Sequence, residues 1–261
     1  MKGKFINKPL FALQRKSTKN LFIIFALVIS ALAVMIISLY PMMTDVMEAM
    51  PEVLKSMYTM GSIADYFNTE GIEFVLIIAI FATAMAVSIT TSEFKNGSYE
   101  LIYTLNMSRG EIIRTKLLRL VANIAYINVI SFAVILVSMF IWGAGGFSVV
   151  NLVIYFIIAL VVTLQIGVIM FSLCLINKKN LNSFGAVMIV VAMYLFSMLS
   201  NMADKVEWLG YLSPLSSLNG TIMTDGFKGM FTKGILLGVW SLVSLVLLLI
   251  SSKKFQNDDL C

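Results

Sequence analysis

The chain has 261 residues, of which 59% are apolar and only 13% charged, with a formal net charge of +5 and a mean hydropathy of +0.93. Soluble proteins carry about 25% charged residues, so this composition cannot cover a soluble surface and describes an integral membrane protein. There is no histidine, which excludes imidazole catalysis and His-ligated metal, and Cys174 and Cys261 alone make no disulfide framework.

Residues 1–20 carry Lys2, Lys4, Lys8, Arg15, Lys16 and Lys19 and no acid. Phe5, Ile6, Leu10 and Leu13 recur among them at roughly helical spacing, which predicts an interfacial amphipathic helix on an anionic leaflet. A basic tail without fixed structure is the alternative. Residues 21–40 form the first span, since twenty residues at about 1.5 Å each cover a hydrocarbon core of about 30 Å. Ala31-Leu32-Ala33 imitates a signal-peptide cleavage site, but the apolar run continues to Tyr40, so the segment reads as a retained anchor. In the acidic stretch 41–71, Val46, Ala49, Met50, Val53, Leu54 and Met57 share one helical face and predict a short surface helix.

The remaining predicted spans are 72–90, 120–142, 149–176, 183–200 and 234–250, with a tight glycine hairpin at 143–148. Between the last two, residues 208–212 and 215–223 are apolar but too short to cross, and Pro214 and Gly220 interrupt them. They read as short re-entrant outer helices, tolerated in lipid only when packed against protein. Gly234-x-x-x-Gly238 permits close helix approach.

With the amino terminus inside, fifteen of the Lys and Arg residues fall on the inner side and four (Lys55, Lys205, Lys228, Lys233) outside. The positive-inside rule therefore predicts six spans with both termini cytoplasmic. The basic balance is a topology signal and implies no nucleic-acid partner.

The longest charged, helix-competent stretch between spans is 91–118. Gly97 can end the incoming helix, Ser98 can cap a short amphipathic helix over 99–105, and Ser108 with Glu111 forms a capping box for the next helix. A compact helix held between two spans by tight turns is a handle on which something outside the membrane can push.

The spans exclude several chemistries. No Asp, Glu, Lys or Arg lies inside any predicted span, and Glu73 sits at an outer edge, which argues against proton- or ion-coupled transport. There is no phosphate loop of the form G-x-x-x-x-G-K-[ST], and no constellation for catalysis or metal binding. Asn128, Ser131 and Ser138 fall on nearly one face of the third span. They read either as inter-helix hydrogen bonds or as the wall of a substrate path.

The segment Ser92-Glu93-Phe94-Lys95-Asn96-Gly97-Ser98-Tyr99-Glu100-Leu101, followed by Leu105-Asn106-Met107-Ser108-Arg109 and Lys116-Leu117-Leu118, resembles the type-2 permeases of bacterial ATP-binding-cassette (ABC) exporters. Met50-Pro51-Glu52-Val53-Leu54 and Leu212-Ser213-Pro214-Leu215 are similar to outer-loop motifs of the same family, whereas the proline often found near Asn106 is missing. The resemblance implies a multi-pass permease of a bacterial cell membrane, paired with a second permease copy, identical or related, and docked to two cytosolic ABC ATPase subunits. ATP and Mg would belong to those partners, with no cofactor in this chain and no enzyme activity of its own. Asn96, Gly97, Ser98, Tyr99, Glu100, Leu101, Ile102, Tyr103, Leu105, Ser108 and Arg109 would form the coupling segment, the apolar side chains filling an ATPase groove while Glu100 and Arg109 fix register. Acidic outer loops above spans rich in Met, Phe and Leu suit export of an amphipathic or hydrophobic cargo such as a peptide toxin, antimicrobial peptide or drug, or else those acids only mirror the positive-inside bias and solvate the loops. The alternatives are a permease for lipid or polysaccharide, an ion-coupled transporter without an ATPase, and a membrane assembly factor or sensor with no transport path.

Overall fold

The computed structural model describes residues 7–49, 62–95, 107–143, 146–177, 182–202, 204–218, 222–226, 228 and 230–257. Every regular element among them is helical: α1 Lys8–Ser38, α2 Tyr40–Ala49, α3 Ile63–Lys95, α4 Arg109–Trp142, α5 Val149–Ile176, α6 Ser183–Met202, α7 Ile222–Asp225 and α8 Met230–Asn257. Two 3-10 helices, Asp204–Leu212 and Pro214–Leu218, lie between α6 and α7. Six of the helices are long and apolar enough to cross a membrane, in the six places the sequence predicts.

Helix starts are set by caps, and they move three predicted boundaries outward. Asn7 accepts from the Leu10 amide at 3.1 Å and Pro9 occupies the first turn, so α1 begins at Lys8 and runs unbroken to Ser38. The separate interfacial helix expected over residues 1–20 is not formed by residues 8–20, which are the first turns of α1 itself. No glycine or proline interrupts the chain between Leu10 and Ser38, and Leu10, Gln14 and Thr18 bury their shared face against α4. Ser62 donates to the Asp65 carboxylate at 2.8 Å and accepts from the Asp65 amide at 3.2 Å, which starts α3 well before residue 72. Ser108 starts α4 well before residue 120. Of the face expected to form a short surface helix within 41–71, Val46 and Ala49 lie in α2, and Met50, Val53, Leu54 and Met57 lie outside the described residues.

Two helices are central. Of the most apolar window of α3 and α5, 61% and 67% of residues are buried, against 17% for α1, 17% for α6 and 11% for α8. The latter three therefore turn most of their surface away from the rest of the bundle. Phe67, Phe74 and Phe81 recur every seventh residue along one stripe of α3. Phe67 packs on Tyr155 of α5 with ring centres 5.2 Å apart, and Phe22 and Phe25 of α1 close on Phe81. Gly167 lets α4 and α5 approach, because a Cβ there would stand 2.5 Å from Ile124 Cδ1. By contrast, a Cβ at Gly234 or Gly238 would meet nothing within 4 Å, so the GxxxG stripe of α8 is not used inside this chain.

With no water in hydrocarbon, each buried hydroxyl needs a partner within the bundle. Thr83, Thr115, Ser131, Thr163 and Ser172 solve this by donating to the carbonyl four residues earlier, at 2.8–2.9 Å.

The contacts sort the helix ends into two groups. At one end, the Asn7 amide donates to Thr115 Oγ1 at 3.1 Å, and Arg109 reaches the last turn of α8, so the first and last described residues lie together beside the start of α4. At the other end, the Tyr66 hydroxyl donates to Ile36 O at 3.0 Å. There Asn68 Oδ1 accepts from the Met223 amide at 2.9 Å and Asn151 Nδ2 donates to Met223 O at 2.9 Å, clamping α7 between the starts of α3 and α5. Gly226, at φ +62°, closes α7 in the left-handed conformation that glycine accepts without penalty. Pro214–Leu218 is buried along its whole length at this end.

Candidate functional site

The site indicated by sequence lies between the end of α3 and the start of α4. Asn96, Gly97, Ser98, Tyr99, Glu100, Leu101, Ile102, Tyr103 and Leu105 lie outside the described residues, and Ser108 and Arg109 are the described members of that set. Ser108 has extended backbone (φ −74°, ψ 145°) and accepts from the Glu111 amide at 3.2 Å, as an N-cap should. Replacing such a cap by alanine costs about 1 kcal/mol.

Arg109 is the first residue of α4, yet its guanidinium serves a different helix. Nη1 donates to Gln256 O at 3.0 Å and Phe255 O at 3.4 Å. The last four carbonyls of a helix have no partner within it and carry partial negative charge, so a cation there satisfies both needs. The start of α4 is thereby fastened twice, to its own first turn and to the end of α8.

Residues 109–118 are the first turns of α4, whose start lies at the Ser108 cap that the sequence indicates, ahead of the apolar span expected from residue 120. Glu111, Lys116 and Arg119 belong to α4 and are buried, because the first turns of α1 cover that face. Arg119 lies with its guanidinium carbon 5.4 Å from the centre of the Phe11 ring of α1, a cation–π contact worth about 0.5–2 kcal/mol.

Asn128, Ser131 and Ser138 are all buried. Asn128 Nδ2 donates to Ile124 O at 2.8 Å and to Thr163 Oγ1 of α5 at 3.1 Å, and Ser131 donates to its own helix. Asn128 is thus an inter-helix tie, and the shallow 190 Å³ groove beside it is otherwise lined by apolar residues including Phe132, Phe156 and Leu160. Gln165 repeats the device between α5 and α8, donating to Leu237 O at 2.9 Å and Ser241 Oγ at 2.8 Å. The helix-bond reading accounts for the contacts of Asn128 and Ser131.

Among the described residues, no three Cys, Asp or Glu side chains converge to hold a metal. Sequence reasoning missed the grouping of Arg15, Lys19 and Arg119 between α1 and α4. Its signal was present, since Lys19 and Arg119 are each the last cation before a long uncharged run. Neither a protein-family model nor a curated protein matches the chain.

Proposed function

We propose that this chain is the membrane permease subunit of an ATP-driven exporter. The observation that carries the reading is the doubly fastened start of α4. Residues 96–106 connect α3 to a helix whose first turn is capped by Ser108 and tied by Arg109 to the end of α8. Force applied to that connection by a cytosolic partner moves α4 and α8 together, and α3 is the most central helix but one. A loosely hinged helix start would dissipate the same force.

In this reading the end of the bundle that holds both described termini faces the cytoplasm, as the lysine and arginine distribution requires. Two ABC ATPase subunits dock there through residues 96–105, bringing ATP and Mg. The 3-10 helices and α7 are the short re-entrant elements of the outer side. A second permease copy completes the path, consistent with a single chain whose buried polar residues bond one another instead of lining a channel. Cargo is an amphipathic or hydrophobic molecule leaving a bacterial cell.

The test is reconstitution in vesicles with and without the ATPase subunit. This chain alone hydrolyses no ATP, and vesicles holding both subunits move a cationic amphipathic peptide only when ATP is supplied on the ATPase side. Hydrolysis by this polypeptide alone, or equal movement without nucleotide, overturns the reading.

A further inference from the structure

A cavity of about 510 Å³ opens between α1 and α4 at the end of the bundle that holds both described termini. Its size falls within the range of about 300–1,000 Å³ typical of small-molecule sites. Its lining divides sharply. One part is cationic, made by Arg15 and Lys19 of α1 and Arg119 of α4, and no acidic side chain lines it among the described residues. The other part is apolar and lies deeper along the same helices, with Phe22 and Ile23 facing Val129 and Ile130.

The level of the cations is fixed by sequence. Beyond Lys19 the chain carries no charge until Asp45, and beyond Arg119 none until Lys178. Both residues therefore stand where polar interface gives way to hydrocarbon, on two adjacent helices and facing one cavity. Arg119 is only 7% exposed, and its Nε has no hydrogen-bond partner. A buried guanidinium normally pairs with an anion or a carbonyl, and the aromatic face of Phe11 is a weaker substitute. One turn deeper, the fully buried Asn123 leaves its carbonyl oxygen without a donor.

We infer that this cavity binds the phosphate-bearing head of an anionic lipid, with the phosphate against Arg15, Lys19 and Arg119 and the first acyl carbons along Phe22, Ile23, Val129 and Ile130. Basic pockets between membrane helices are suited to such head groups. The apolar continuation of the cavity selects an amphiphile over a free anion. The lipid joins α1 to α4 at the end where the α3–α4 connection lies. The inference needs no ATPase and stands apart from the exporter reading.

The experiment uses the full chain in mild detergent and follows its melting temperature as phosphatidylglycerol is titrated. Phosphatidylcholine and inorganic phosphate serve as separate arms. Phosphatidylglycerol raises the melting temperature saturably, and neither other arm does. The double variant Arg15→Gln, Lys19→Gln removes two exposed cations without disturbing the core, and weakens the apparent affinity about tenfold or more. Lys16→Gln, an exposed cation of the same helix outside the cavity, leaves it unchanged. Equal stabilisation by phosphatidylcholine or inorganic phosphate overturns the inference. So does an equal loss in Lys16→Gln, which would mark general attraction to a charged surface.

Discussion

Arg109 donates to the main-chain oxygen of Gln256 at 3.0 Å, joining the first residue of α4 to the last turn of α8 across 147 residues of sequence. A cation placed at the C-terminal carbonyls of another helix compensates their partial charge, and the effect fades within one turn. Arg109→Ala therefore raises amide hydrogen exchange over 250–257 and leaves exchange in the middle of α8 unchanged. Uniform deprotection along α8 would mean that the guanidinium supports more than the helix end.

Asn128 and Thr163 make a second tie, at 3.1 Å and at membrane depth. Hydrogen bonds between membrane helices average about 0.6 kcal/mol, with a maximum near 1.7. A double-mutant cycle with Asn128→Ala and Thr163→Ala measured by unfolding in detergent gives a coupling in that range. A coupling of zero would assign Asn128 to something other than holding α4 to α5.

The buried Tyr155 hydroxyl has no hydrogen-bond partner and crowds Gly71, where a Cβ would stand 2.8 Å from that oxygen and 3.0 Å from the Phe67 ring. Gly71→Ala gains about 1 kcal/mol in helix propensity but meets rigid rings, and overpacking costs about 1–3 kcal/mol. Its melting temperature falls. Tyr155→Phe removes an unsatisfied polar group at no loss of packing, so it is neutral or stabilising alone and partly rescues Gly71→Ala. Gly238→Ala, with open space around it, loses no stability. A stable Gly71→Ala would show that the α3–α5 contact yields more easily than these distances allow.

The six spans were legible because apolar runs of the right length are dictated by bilayer thickness. Residues 149–176 were placed to the residue, since Ser148 and the glycine hairpin mark one end and Asn177 the other. The outward extensions of α1 and α3 were not, because hydropathy fades at the interface while the helices continue, and their starts are written instead in Asn7 and Ser62; the start of α4 was legible in Ser108. For the cationic cavity the sequence shows only that Lys19 and Arg119 each end a charged stretch, not that they meet. Arg119 is a hundred residues from Arg15 and Lys19, and their neighbourhood follows from α1 packing on α4, which no local pattern encodes.

At the opposite end, Asn68 and Asn151 hold α7 through main-chain groups of Met223 and Thr224. Removing one partner leaves a main-chain group of a four-residue helix unsatisfied, at a cost of about 1–3 kcal/mol. Asn68→Ala and Asn151→Ala each increase protease cleavage and amide exchange within 218–228 and spare the α1–α4 end. Equal loosening of both ends would mean that α7 braces the whole bundle.

The central claim is that residues 96–105 receive an ATPase subunit. Leu101→Asp and Tyr103→Asp place a charge where an apolar contact is expected, a change that costs several kcal/mol when the charge is buried without a partner. The measurement is pull-down of the ATPase subunit by the tagged chain from detergent-solubilised membranes, with a melting curve of each variant in parallel. The account predicts that both variants lose the ATPase while melting like the parent chain. Retention of the ATPase by both variants, with transport intact, would contradict it.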